Sequence, residues 1–181
     1  FRGTPVLIQL IIIYTGLPQL GIRLSVIESA IIGLALNEGA YLAEVIRSGI
    51  MSVDKGQTDA SRAVGMTWRQ RMWMVILPQA TRTIIPPLGN QFNGMLKTTS
   101  LASVISMEEL MRNAQMLAQI EFRVLEAYTV AAVWYLVLVS IWGQIQVRIE
   151  AHYEKPFGPA AAVSPDAKKD IEKILRNSGQ A

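Results

Sequence analysis

The sequence predicts an all-α membrane protein whose helices form a bundle and cross the bilayer several times. Residues 3–22 contain no charged side chain, and neither do the 21 residues of 127–147. A helix needs about 20 apolar residues to span the hydrocarbon core of a bilayer. Charged residues make up 17% of the 181 residues, which is below the share of about 25% in soluble domains. The distribution of charge therefore favours a polytopic membrane protein.

Four spanning helices are predicted, each from an apolar run and its flanking residues. Thr4 and Pro5 are typical of an N-cap and a first helical position. Ser25 and Glu28 have the spacing of a capping box, so a second helix begins after Ser25. The predicted spans are a run that ends near 16–18, then 26–46, 83–105 and 127–147, with a polar helix that begins at Ser106 and ends before Glu126.

The charged residues of the connecting loops predict the orientation in the membrane. Residues 47–82 hold six Lys or Arg against two Asp, whereas residues 106–126 hold two Arg against four Glu. Basic loops remain on the cytoplasmic side. We therefore expect a membrane domain over residues 1–153, with a cytoplasmic loop at about 48–82. Residues 154–181 are expected to form a flexible cytoplasmic tail.

Several classes of site are excluded or disfavoured by composition. The chain has no cysteine, which excludes disulfides, thiolate metal sites and a thiol nucleophile. Its one histidine, His152, follows the last span and is expected to be an interfacial residue rather than a metal ligand. The net charge of +3 is small and is spread over loops, which disfavours a nucleic-acid partner. The sequence has no Gly-rich phosphate loop, so it is not expected to bind ATP in that way. It has no nucleophile–base constellation either, and neither cofactor nor metal nor catalytic residue is predicted.

The stretch GQTDASRAVGMTWRQRMWMVILPQA, residues 56–80, is a polar interruption between apolar runs. It predicts a helix that breaks at Gly65, because glycine allows a backbone turn that other residues resist. A second helix begins at Thr67, with Gln70 completing a capping box, and is expected to end or kink at Pro78. By periodicity alone, the stretch is either an amphipathic loop in the lipid headgroup layer, with Trp68 at its surface, or a docking helix.

The order of residues in this stretch resembles the Glu-Ala-Ala motif of ABC-type import permeases. Asp59, Ala60 and Ser61 stand at the Glu-Ala-Ala positions, Gly65 at the glycine and Pro78 at the closing Leu-Pro. Three other stretches look like the polar amino-acid uptake group of these permeases. They are FRGTPVLIQLIIIYTGLP, LNEGAYLAEVIRSGI and LGNQFNGMLKTTSLASVISMEEL. The resemblance covers about residues 1–155.

The resemblance implies a multi-pass permease subunit in the inner membrane of a bacterium, in contact with membrane lipid and importing amino acids, polar ones in particular. It implies pairing with a second permease subunit, identical or similar, and delivery of substrate by an extracytoplasmic binding protein. Two separate ATPase subunits would hydrolyse ATP, so the chain itself is not expected to be an enzyme. The group has five spans and this sequence begins with Phe1, so we expect a first span to be missing. The residues implied to couple to the ATPase are Gln57, Asp59, Ala60, Ser61, Gly65 and Pro78.

Ionisable residues inside predicted spans are functional candidates, because burying a charge in a bilayer is costly. Glu38 and Lys97 are one acid and one base, which together match the two charged groups of an amino acid. The alternatives are an internal Glu–Lys pair, or a Lys97 that extends its amine to the membrane surface. Glu44 and Arg47 are expected to form a surface pair. The predicted substrate-pathway residues are Glu38, Tyr41, Asn90, Lys97, Thr98 and Ser100.

Two other functions fit parts of the sequence. An ion-coupled secondary transporter could use Glu38 and Lys97 as a relay, but it does not explain the polar loop, and no inverted repeat is visible. A scaffold of membrane helices that binds a cytoplasmic partner is the third possibility. Many relatives in the uptake group have an acidic residue where this chain has Thr98, which predicts against a strongly cationic substrate.

Overall fold

The computed structural model describes residues 1–153, and every regular element in that range is helical. The predicted tail lies outside the described residues. The α-helices are α1 Val6–Ile11, α2 Val26–Met51, α3 Lys55–Ala63, α4 Trp68–Arg71, α5 Leu77–Thr98, α6 Leu110–Glu121 and α7 Val124–Tyr153. Helix α1 continues through a π turn, Ile12–Gly16, into a 3-10 turn, Leu17–Leu20. A second π turn, Met72–Ile76, joins α4 to α5, and a 3-10 segment, Thr99–Ile105, follows α5.

The predicted capping residues are right for α2 and wrong for α1. Ser25 Oγ accepts the Glu28 N–H at 3.2 Å, and the Glu28 carboxylate accepts the Ser25 N–H at 2.7 Å, which is the predicted capping box. Helix α1 has Pro5 rather than Thr4 at its N-cap. The Thr4 hydroxyl instead accepts a hydrogen bond from Gln9 Nε2 at 2.8 Å. Thr4 is therefore used to satisfy a buried amide of the helix that follows it.

The start predicted for the polar helix at Ser106 is wrong. Ser106 has a left-handed backbone with φ of 64°, and α6 begins only after Glu109. The Glu109 carboxylate accepts the N–H groups of Met111 at 2.8 Å and Arg112 at 2.6 Å, so a glutamate caps this helix. Tyr135 donates its hydroxyl to the same carboxylate at 3.1 Å. This contact attaches the start of α6 to α7.

The core is small and is built where helix backbones approach closely. Its buried apolar cluster is Leu10, Ala30, Leu34, Ala102 and Ile105. A Cβ atom at Gly33 would lie 2.7 Å from Leu10 Cδ2, so glycine is required for α1 to reach α2. Small residues between helices are typical of membrane bundles, where close backbone packing drives association.

Two of the described helices, α2 and α7, are long and apolar enough to cross a membrane, and residues 6–20 form a shorter apolar helix. Helix α5, the third predicted span, does not reach this apolarity, so the total of four spans remains a prediction. Helix α7 leaves Trp134, Leu136 and Ile141 more than half exposed. A large apolar face is unfavourable in water but suits lipid or a neighbouring helix.

We predict that Gly49→Ala destabilises the packing of α2 on α5. A Cβ at residue 49 would overlap Ile84 Cγ1 and lie 3.5 Å from the Ala80 carbonyl oxygen. Ile84 is buried, so moving it aside disturbs its own packing, and we expect a loss of about 1–3 kcal/mol, the usual cost of overpacking. Thermal unfolding in detergent measures it. Gly39→Ala on the same helix is the control, since a Cβ there meets nothing within 4 Å; equal melting temperatures for the two variants would contradict the prediction.

Candidate functional site

The polar loop folds as a helix, a tight turn and a second helix. Asp54 caps α3 by accepting the Gly56 N–H at 2.7 Å. At the other end, Gly65 has φ of 78° and donates its N–H to the Arg62 carbonyl at 2.9 Å, while the Met66 N–H reaches the Ser61 carbonyl at 3.1 Å. Such a left-handed glycine after the last turn is a common helix ending. The predicted break at Gly65 is confirmed.

The second helix of the loop starts as predicted but does not end at Pro78. Thr67 and Gln70 form the capping box, with the Thr67 N–H donating to Gln70 Oε1 at 2.9 Å. Pro78 then lies in the first turn of α5, directly after the π turn. Proline has no N–H to donate, and it stands here directly after a turn whose hydrogen bonding already departs from the α-helical pattern. Pro78 therefore marks a change of helical register, and α5 continues through Pro86 and Pro87.

The outer surface of α3 presents Asp59, Ala60 and Arg62, all exposed. Asp59 and Arg62 approach to 3.8 Å, but a solvated pair of this kind contributes little stability. Ser61 is only 5% exposed, and its hydroxyl donates to the Thr58 carbonyl at 2.8 Å. This side chain therefore faces the interior, where its small size lets α3 pack closely, and its coupling to an ATPase stays a prediction.

Gln57 is exposed on α3, and its Oε1 accepts a hydrogen bond from Gln79 Nε2 at 3.3 Å. Sequence reasoning missed Gln79. The signal that could have found it is a polar side chain directly after Pro78, at the end of the run MWMVIL. Only the folded chain shows that residues 22 positions apart are in contact.

Glu38 is buried, at 8% exposure, and accepts a hydrogen bond from Gln91 Nε2 at 2.8 Å. Both residues line a cavity of about 340 Å³ between α2, α5 and α7, whose wall includes Phe92 and Trp142. The two rings are 4.1 Å apart, and Trp142 Nε1 donates to the Gly89 carbonyl at 2.9 Å. The site combines one carboxylate with an apolar and aromatic wall, as small-molecule sites commonly do. Gln91 was also missed from sequence.

Lys97 does not lie in this cavity. It is exposed, and the ion pairs found among residues 1–153 do not join it to Glu38. The internal Glu–Lys pair considered from sequence is therefore wrong, because α5 presents Gln91 to Glu38 and turns Lys97 outward. Thr83, Asn90 and Lys97 recur at helical spacing along one exposed face of α5. We call this the α5 polar face.

The remaining pathway candidates are dispersed. Thr98 and Ser100 donate their hydroxyls to backbone carbonyls of Gly94 and Lys97, at 3.1 and 2.6 Å. Tyr41 lies under the Arg2 guanidinium, 5.4 Å from the ring centroid, at a second cavity of about 300 Å³. Asn90 Oδ1 accepts a hydrogen bond from Gln146 Nε2 at 3.3 Å. The structure therefore brings together Glu38 and the new residue Gln91, but not the whole predicted set.

The predicted surface pair is confirmed. Arg47 donates to Glu44 through two guanidinium nitrogens, and Arg2 lies 3.6 Å from the same carboxylate. All three side chains are substantially exposed. In the described part of the chain, no three His, Cys, Asp or Glu side chains are placed to hold a metal ion.

Comparison with known proteins identifies the family. The family described as "Binding-protein-dependent transport system inner membrane component" has a model that matches residues 1–154. The chain belongs to this family. The permease is thus a transport subunit, as its motif predicted, and the family works with ATPase and binding-protein partners in general. Membership also makes it an inner-membrane protein.

Individual relatives agree with this assignment. The probable amino-acid ABC transporter permease protein PatM of Vibrio harveyi is 44% identical over 160 residues, 87% of this chain and 72% of the relative. The arginine transport system permease protein ArgU of Corynebacterium glutamicum is 43% identical, over 86% of this chain and 54% of the relative. The glutamine transport system permease protein GlnP of Escherichia coli is 38% identical, over 82% and 69%.

Solved structures confirm the helical fold. One, described as "Crystal structure of an amino acid ABC transporter with histidines", matches with a TM-score of 0.78 and 40% identity, over 83% of this chain and 71% of that chain. The MetNI methionine ABC transporter, in inward-facing conformations, matches with a TM-score of 0.72 over 85% and 71%. At 19% identity, this second match shows the fold alone. The first structure and the relative PatM are both named as amino-acid ABC transporter proteins, and the ion-coupled alternative has no support among these matches.

Proposed function

We propose that the permease imports amino acids, polar ones in particular, as part of an ATP-driven transporter. The observation that carries the proposal is α3: an exposed helix, held by the Gly65 turn, between the two helices α2 and α5 that enclose the Glu38 cavity. A small-residue surface around Ala60 permits close approach of a partner. The names of the relatives, which include arginine and glutamine permeases, support an amino acid as the substrate.

The proposed assembly has two permease subunits and two ATPase subunits. The ATPase subunits dock on residues 48–82 from the cytoplasm, through Gln57, Asp59, Ala60 and the Gly65 turn. The α5 polar face is exposed in the single chain. Polar side chains in a membrane helix normally face a pathway or another helix rather than lipid. We infer that this face, including Lys97, lines the pathway where a second permease subunit pairs with it.

The proposed topology follows from charge. Residues 1–153 form the membrane domain with four spans, and residues 154–181 lie on the cytoplasmic side. The basic loop 48–82 is cytoplasmic and α6 lies outside, where an extracytoplasmic binding protein delivers substrate. Glu38 contributes a carboxylate for the ammonium group of that substrate, within the membrane.

Reconstitution tests this function. The permease, its ATPase subunits and its binding protein are placed in liposomes, and uptake of radiolabelled glutamine, asparagine, serine, arginine and lysine is measured. We expect uptake that requires ATP inside the vesicle, stops with vanadate and continues when a protonophore removes the ion gradient. Uptake that survives without ATP and stops with the protonophore would establish the ion-coupled alternative. If cells import amino acids normally after deletion of this subunit, the scaffold function would be the one that remains.

The same panel tests selectivity. Lys97 is the ionisable side chain of the α5 polar face, and the next residue is the neutral Thr98. Because no carboxylate stands beside Lys97 in sequence, we expect glutamine, asparagine and serine to be preferred over lysine and arginine. Competition against labelled glutamine measures the order. Lysine and arginine as the strongest competitors would contradict this expectation.

A further inference from the structure

The amide of Gln79 contacts two other segments of the permease. Its Nε2 donates to the Val75 carbonyl at 3.0 Å and to Gln57 Oε1 at 3.3 Å. An amide nitrogen has two hydrogens, so both bonds can exist together. Val75 belongs to the π turn, Gln57 to α3, and Gln79 itself to the first turn of α5. One side chain therefore connects the docking helix with the beginning of the helix that carries the α5 polar face.

The contact lies at the π turn that joins α4 to α5. The Leu77 N–H bonds to the Met72 carbonyl five residues back, which defines the π turn. Pro78 has no N–H, so the next backbone donor is missing as well. Short π segments inside α-helices occur frequently at functional sites. Here the Gln79 side chain supplies a hydrogen bond to a carbonyl of the π turn and extends it to α3.

Helix α3 is joined to α5 along the chain and through space. The path along the chain passes through α4 and the Gly65 turn, and glycine can change its backbone conformation more easily than other residues. The other passes through space, since α3 packs against the π turn and Gln57 bonds to Gln79. A displacement of α3 that only changes the backbone of the Gly65 turn does not reach α5. A displacement carried through Gln57 and Gln79 moves the start of α5 directly.

We propose that Gln79 is a positioning residue that makes α3 and the first turn of α5 move as one body. Motion imposed on α3 by an ATPase subunit then reaches the α5 polar face. The inference rests on the proposed function of α3 as the docking helix. Without the Gln79 contact, ATPase subunits still dock and hydrolyse ATP, but fewer cycles of hydrolysis lead to import of an amino acid.

The first test is the number of ATP molecules hydrolysed per amino acid imported, in the full reconstituted complex with radiolabelled glutamine and arginine as probes. Gln79→Leu keeps the size of the side chain and removes both hydrogen bonds. We expect the ratio of ATP hydrolysed to amino acid imported to rise about fivefold, the factor that corresponds to the loss of one neutral hydrogen bond, the one from Gln79 to Gln57. Gln144→Leu is the matched control, an exposed glutamine on α7, and should keep the wild-type ratio. A purely structural role would reduce the amount of protein and leave the ratio unchanged, which would overturn the inference.

The second test restores the link chemically. Residues 1–181 contain no cysteine, so Gln57→Cys with Gln79→Cys gives this part of the permease two thiols. We expect a raised ratio in the unbridged variant, a return to the wild-type ratio when a bifunctional thiol reagent bridges the pair, and a rise again after reduction. A bridge that blocks transport would show that α3 must move against α5. A bridge that leaves the ratio high would show that this link does not set the ratio. Either result would overturn the inference.

The two levels of failure are distinguishable. A wild-type complex without ATP-dependent uptake contradicts the proposed function itself. ATP-dependent uptake with a wild-type ratio in both Gln79→Leu and the unbridged cysteine pair contradicts only the role of Gln79. Both readouts are ratios within one preparation, so a lower yield of a variant does not imitate either result.

Discussion

Gly65→Val is expected to abolish uptake while leaving the permease inserted in the membrane. Gly65 has φ of 78°, and its N–H closes the end of α3 on the Arg62 carbonyl. A β-branched residue in this region costs about 1–3 kcal/mol, which makes the native turn about five- to 160-fold rarer. An altered turn re-aims α3, so the docking surface no longer fits its partner. Uptake by whole cells and the amount of permease in isolated membranes measure the two parts of the prediction.

Gly65→Asn is the matched control at the same position. Asparagine adopts the left-handed region more readily than other non-glycine residues, and a Cβ at residue 65 meets nothing within 4 Å. We therefore expect Gly65→Asn to retain most of the uptake. If Gly65→Val transports at the wild-type rate, the turn is not required for coupling. If both variants lose uptake equally, loss of glycine rather than backbone strain is responsible.

Replacing Glu38 is expected to have the second large effect. Glu38→Gln preserves a hydrogen-bond acceptor for Gln91 but removes the charge that is proposed to meet the substrate ammonium. A hydrogen bond to a charged group contributes about 1.5–3 kcal/mol, so we expect the KM for uptake to rise at least about tenfold with the permease present in normal amount. Concentration-dependent uptake in the reconstituted complex gives KM and kcat separately.

Two further variants separate charge from structure at this position. Glu38→Leu also leaves the Gln91 amide without its partner, so a loss of protein should accompany the loss of uptake. Glu28→Gln changes an exposed carboxylate on the same helix and keeps the capping box, because glutamine serves in that motif as glutamate does. It should transport normally. A wild-type KM in Glu38→Gln would remove Glu38 from the pathway.

Local features of the fold were predictable because their causes are local. The capping boxes at Ser25 and Thr67 and the left-handed turn at Gly65 form as predicted, since each needs only neighbouring residues. The start of α6 was not predictable in the same way. Ser106 has the right spacing for a cap, but its backbone turns left-handed and Glu109 takes the role. The competing capping residue, which also binds Tyr135 on another helix, decided the boundary.

In the candidate site, too, some residues could be predicted from the sequence and others only from the folded chain. The unusual polarity of the loop and the cost of burying a glutamate were visible in the amino-acid sequence, and they led to Gly65 and Glu38. Gln91 and Gln79 were invisible because a glutamine in a helix has no distinctive pattern of its own. Their roles depend on partners 53 and 22 positions away, Glu38 and Gln57.

The membrane class, the order of the helices and the motif that assigns the family could be predicted from the amino-acid sequence, because apolar length, charge and turn chemistry act over a few residues. Which polar groups meet depends instead on how the helices pack. The rotation of α5 about its axis presents Gln91 to Glu38 and turns Lys97 outward, and that rotation is set by helix packing, at contacts such as Gly49 against Ile84. Packing of this kind involves residues distant in the chain, so the pairing of a buried charge is a property of the folded molecule.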